Sequence, residues 1–231
     1  MLCGFSLNKR IDNLNVLKLV SKIFYFLCFL LLFIVIQIPT LAENFWPNES
    51  ATDFSTINHL LLLLISSLIA FGLVFLLYHK VNNDVILEKA ITFKNVGFSI
   101  LLAILSQGIQ SLISIWTDDK ASNADLVFVL HTSLSPILIV TLIFVSPVLE
   151  EFLFQGVLQG GILKEMHPFV QILLTSVIFA FFHGYSFSLD TLELLFSGIA
   201  YASVYHVTND LKMAILCHSL SNLIVTILVL V

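Results

Sequence analysis

The sequence has little charge: Asp, Glu, Lys and Arg make up 11% of its 231 residues, against 58% hydrophobic residues and a mean hydropathy of +1.03. A soluble domain of this length needs far more polar surface, so the composition excludes that class and points to an integral membrane protein. Cysteine is scarce. Cys3, Cys28 and Cys217 are scattered without metal-ligand spacing, which excludes a disulfide framework and a thiolate metal site. The chain also lacks a phosphate-binding glycine loop and a basic patch interleaved with aromatics, so neither nucleotide nor nucleic acid is an expected partner. Internal repeats and low-complexity segments are missing as well. What the chain has instead is a series of long apolar runs that hold most of its 21 phenylalanines.

Those runs set the topology. A basic stretch with Lys9, Arg10, Lys18 and Lys22 precedes the first run, Ile23 to Ala42, which is too long for a signal-peptide core and reads as a retained span. Further spans are expected at Ile57 to Tyr78, Val96 to Trp116, Pro136 to Leu163, Pro168 to Gly184, Thr191 to Tyr205 and Ala214 to Val231. Residues 43–57 and 117–125 are acidic, whereas 79–94, Lys164–Glu165 and 206–212 carry lysines. Of the ten Lys and Arg residues, all but Lys120 then fall on one side of the membrane. The positive-inside rule gives an all-α polytopic membrane bundle of about seven helices, with the N-terminus cytoplasmic and the C-terminus external. The fourth run is longer than a crossing requires, and Pro147 supplies a cause for a kink.

Within that fourth run stand two adjacent carboxylates, Glu150 and Glu151. One ionisable side chain at bilayer depth costs about 2.5–3.5 kcal/mol on insertion scales, so the pair needs a reason: a structural anchor, or a buried proton-handling site. At about 100° per residue the two cannot point the same way, while Glu151 and Gln155 share a helix face. Gln155 is therefore the expected local partner of Glu151, and Glu150 is left to face the bundle centre. By the same spacing Phe179 shares a face with His183 on the fifth span, and His218 with Asn222 on the seventh. A lone histidine in a helix is ordinarily a hydrogen-bonded packing residue. Three polar sites on three apolar helices, each needing a buried partner, can also satisfy one another.

In this order, Glu150-Glu151-x-x-x-Gln155, Phe179-x-x-x-His183 and His218-x-x-x-Asn222 resemble the EExxxR, FxxxH and HxxxN signature of the CAAX-protease and bacteriocin-processing (abortive-infection-like) intramembrane endopeptidases. The resemblance covers about residues 130–230. It divides the chain into residues 1–130, three helices without a motif, and a four-helix catalytic core at 131–231. It implies that Glu150 activates a water with help from His183, while His218 and Asn222 stabilise the oxyanion at the scissile carbonyl. Glu151 completes the catalytic set, with Gln155 and Phe179 in support. Peptide hydrolysis independently requires a base, donors aimed at developing negative charge and restricted water, and these residue types supply them. The family has also been described as metalloproteases. Glu150, His183 and His218 would then bind zinc, but the HExxH motif is absent and a mechanism without cofactor is preferred.

One position departs from the signature: Gln155 replaces its arginine, and can hydrogen-bond Glu151 but not neutralise it. The leading expectation is an intramembrane endopeptidase of a bacterial plasma membrane, acting on a membrane-associated peptide or protein of CAAX or bacteriocin-related type. A non-catalytic immunity or partner-binding protein of the same fold is the alternative. A proton-coupled transporter is disfavoured by the lack of inverted repeats and paired broken helices.

Overall fold

The computed structural model describes residues 2–40, 56–82, 90–116, 124–184 and 188–230; most of the acidic stretches at 43–57 and 117–125, residues 83–89 of the lysine-bearing segment 79–94 and part of the turn after Gly184 lie outside the described residues. Among the described residues there are eight helices: α1 (Leu2–Thr40), α2 (Thr56–Val81), α3 (Phe93–Ile113, extended by a 3₁₀ turn at Ser114–Trp116), the short α4 (Ala124–Leu130), α5 (Ser135–Ile162), α6 (Pro168–Gly184), α7 (Leu189–Thr208) and α8 (Leu211–Leu230). Five contain stretches long and apolar enough to cross a membrane: Val16–Thr40, α2, Phe93–Trp116, α5 and α8. α6 is apolar but shorter, at 17 residues. The helical membrane bundle expected from the sequence is what forms. The basic lead-in belongs to α1 itself rather than preceding it, and α7 starts two residues earlier and ends three later than its apolar run.

α5 is the central helix. Its most apolar window is 61% buried, whereas the corresponding windows of α1, α2, α3 and α8 are 17–33% buried and turn most of their surface toward lipid. Regular α-helical turns at Ser135–Val140 and Ser146–Glu151 alternate with wider π-helical turns at Thr141–Val145 and Phe152–Ile162. The amide of Ser146 donates to the Thr141 carbonyl, and that of Leu163 to the Leu158 carbonyl, both five residues back. Pro147 explains the first widening. Its ring has no N–H to donate and would clash with the carbonyl four residues earlier, so the turn before it opens. The kink expected at Pro147 thus takes the form of an inserted wide turn.

Small residues let the neighbours close on the second wide segment. A Cβ placed on Gly156 would stand 2.7 Å from Cδ2 of Tyr78 on α2, and one on Gly161 would run into Val81. Gly198 of α7 sits against the backbone of Ser176 on α6, 3.0 Å from where its Cβ would be. Phe154 is the aromatic centre of the packing, with Phe29 and Phe33 of α1 and Phe179 and Phe182 of α6 around it at centroid distances of 5.1–6.2 Å. Gly156→Val should therefore wedge α2 from α5 and lower stability by about 1–3 kcal/mol, the usual cost of overpacking. Thermal unfolding in detergent checks this, with recovery expected when Tyr78→Ala is added; a Tm equal to that of the parent would contradict the close contact.

Lys22 and Glu165 form an ion pair of 2.5 Å that ties α1 to the turn between α5 and α6. The Lys22 ammonium holds the Glu165 carboxyl below the usual carboxylate range. At this same end of the bundle Asn82, Lys164, Gln171, His206 and Asn209 gather around one polar cavity. The lysine-bearing segments of the sequence therefore meet in space.

Candidate active site

The midpoint of α5 places both glutamates inside the bundle, with Glu150 5% exposed and Glu151 fully buried. Glu150 sits between two histidines: its Oε2 is 3.2 Å from Nε2 of His183 and 4.0 Å from Nε2 of His218. The Ser146 hydroxyl, one helical turn back, donates to its other oxygen. Glu151 faces away, and its Oε1 is 2.8 Å from Nδ1 of His218. The close partner of Glu151 is thus an imidazole from α8, while Gln155, the partner expected from the sequence, also interacts with the carboxyl but makes no well-formed hydrogen bond to it.

Both rings are fixed through Nδ1. On His183 that nitrogen is 2.8 Å from the Phe179 carbonyl, which can only accept, so Nδ1 carries a proton and Nε2 is the atom that exchanges one with Glu150. The His218 ring is stacked on Tyr201 at 4.3 Å and 12°, and Phe179 packs 4.3 Å from His183 and 6.0 Å from His218. Phe179 thus serves through its backbone carbonyl and its ring together. With Glu151 occupying Nδ1 of His218, the proton position on that pair decides whether Nε2 offers a donor toward Glu150.

Glu150, His183, His218 and Asn222 all line one cavity of about 510 Å³. Asn222 reaches it from α8, four residues after His218, with Nδ2 also donating to the Leu142 carbonyl at 2.8 Å. One hydrogen of that NH₂ group is left for another acceptor. Gln107, Gln110, Ser111 and Ser114 of α3 and Glu193, Ser197 and Tyr201 of α7 form the opposite wall, and Gln110 donates to Ser197 at 2.8 Å. Ser146 and Tyr201 were not among the sequence-based candidates. The i, i+4 relation of Ser146 to Glu150 was the available signal for the first; nothing in the sequence foretells the stacking of Tyr201 on His218.

A zinc ion would draw on Glu150 Oε2 and on Nε2 of His183 and of His218, both imidazoles being held through Nδ1. Glu150 Oε2 faces His183, its second oxygen accepts from Ser146, and His218 is held by Glu151. Among the described residues no group of three or more His, Cys, Asp or Glu side chains is arranged to hold a metal ion.

Residues 132–224 match the model of a protein family described as Type II CAAX prenyl endopeptidase Rce1-like. The match contains all three motifs and every residue of the cluster around Glu150, so the resemblance read from those motifs is borne out over this span. No curated protein and no solved structure gives a match.

Proposed function

We propose that the chain is an intramembrane endopeptidase of CAAX type that hydrolyses a peptide bond of a membrane-associated substrate with a water activated by Glu150. The observation that carries this reading is the convergence of Glu150, His183 and His218 from three helices on one cavity within the bundle. A substrate carbonyl entering the cavity meets a water beside Glu150. The carboxylate takes one proton from that water as the oxygen bonds to the carbonyl carbon. The resulting oxyanion is stabilised by Nε2–H of His218 and the remaining amide hydrogen of Asn222. When the tetrahedral carbon collapses, the C–N bond breaks and the proton held by Glu150 and His183 passes to the departing amine. The neighbouring Ser146 and the Phe179 carbonyl keep acid, base and imidazole in register.

The same fold supports an orientation. Ser114, Leu228 and Val229, at the ends of α3 and α8 remote from the lysines, line the cavity, so it opens on the face opposite Lys164. With the lysine-bearing end in the cytoplasm of a bacterium, the substrate approaches from the external side. Gln155, standing where the signature has arginine, favours a second reading, in which the fold binds a peptide such as a bacteriocin without cutting it.

The test is incubation of the purified protein with candidate membrane peptides in H₂¹⁸O, beside Glu150→Gln. Hydrolysis by the parent with one ¹⁸O in the new carboxylate, unaffected by chelators, supports the proposal. Loss of cleavage on chelation, restored by zinc, would replace it with a metal mechanism; binding without cleavage would favour the second reading.

A further inference from the structure

Beyond Glu151 the inner face of α5 continues in polar residues: Glu151, Gln155 and Gln159 follow at intervals of four, with relative exposures of 0, 0 and 1%. The wide turns of Phe152–Ile162 carry all but the first, and stack them in one file. Gln159 donates from Nε2 to the Ala202 carbonyl at 3.0 Å. Four other polar atoms have no hydrogen-bond partner within the protein: Glu151 Oε2, Gln155 Nε2, Gln155 Oε1 and Gln159 Oε1. Buried polar atoms are nearly always satisfied, by protein or by ordered water, and here the protein offers too little. Contact between Gln155 and Glu151 would serve one pair and leave two amide groups with open acceptors. Exchanging the O and N of Gln155 leaves the count unchanged.

The file also has two ends. At one, Glu151 Oε1 is bonded to His218, whose ring borders the 510 Å³ cavity. At the other, Gln159 borders a separate polar cavity of about 170 Å³ shared with Asn82, Lys164, Gln171, Tyr205 and His206. Water that donates to two acceptors and accepts from an amide is the species that matches this sequence of atoms.

We infer that Glu151, Gln155 and Gln159 hold a file of bound water that joins the cavity at the lysine-bearing end to the Glu151–His218 pair. Protons then reach that pair from the membrane face opposite the one on which the large cavity opens. The inference holds whether or not the chain cleaves peptides, since it rests on the unpaired atoms and the second cavity.

Water-edited solid-state NMR of the unsubstituted protein in lipid bilayers tests it directly. Phe154-Gln155 and Leu158-Gln159 are each the single occurrence of their dipeptide in the sequence, so pair labelling assigns both glutamines. Both side-chain amides should receive polarisation from water, at least tenfold more than the methyls of Leu153 and Leu158, which are equally buried on the same helix. Amides as dry as those leucines would overturn the inference. The direction is read by Gln159→Cys in a cysteine-free background treated with a small membrane-impermeant thiol reagent. Modification should come from the side of Lys164, at least tenfold faster than from the other. Wet amides with modification only from the opposite face would mean that the water belongs to the large cavity alone, and would overturn the connection.

Discussion

Glu150→Gln lowers kcat for peptide hydrolysis by about 10³–10⁴-fold, in line with removal of a positioned general base, and leaves KM within about threefold. The substitution is close to isosteric. Its carbonyl oxygen still accepts from Ser146, so Tm should move little, but the amide that replaces Oε2 cannot take a proton from water. It also offers a donor where His183 Nε2 stands 3.2 Å away. His183→Ala should fall in the same range, because the two groups share one proton. Steady-state kinetics alongside a thermal melt check both, and a folded Glu150→Gln protein that cuts at the parental rate would remove Glu150 from the reaction.

Glu151 separates catalysis from packing more sharply. Glu151→Ala strips Nδ1 of His218 of its partner in a fully buried place, at a cost of about 1–3 kcal/mol, and leaves a void beside it. Glu151→Gln keeps an acceptor at Nδ1 but cannot hand over a proton. It should therefore retain most of the melting temperature and still lose about 10²–10⁴ in kcat, as happens when a buried carboxylate no longer sets the tautomer of a catalytic imidazole. Full activity in Glu151→Gln, with instability confined to Glu151→Ala, would make Glu151 an anchor for α8 and nothing more.

The class of fold was legible because it depends on composition and on the length of apolar runs, which are one-dimensional properties. The three motifs were legible because helix periodicity puts residues four apart on one face, and that rule holds for Ser146–Glu150 and Phe179–His183 alike. It gave Gln155 as the neighbour of Glu151 and missed the closer partner, since a helix face fixes adjacency along one helix and says nothing of what a second helix brings. His218, 67 residues later, fills that place. The wide turns of Phe152–Ile162 were hidden for the same reason. They depend on how closely α2 and α7 approach Gly156, Gly160 and Gly161, and no local preference encodes that approach. The apolar run of α7 underestimated its length because the added ends carry Asp190, His206 and Thr208, polar residues that lower hydropathy without ending the helix.

The bond between Glu151 and His218 also has a consequence for biosynthesis. At about 5–20 residues per second, the 67 residues between them take roughly 3–13 s to synthesise. His183 of α6, the nearest partner of Glu150, leaves the ribosome sooner, after 33 residues counted from 150 to 183. For the remainder of that interval α5 resides in the translocon or the bilayer with one glutamate matched and the other waiting. Glu151 therefore depends on α8, and the nascent bundle locks around its central helix only when α8 arrives.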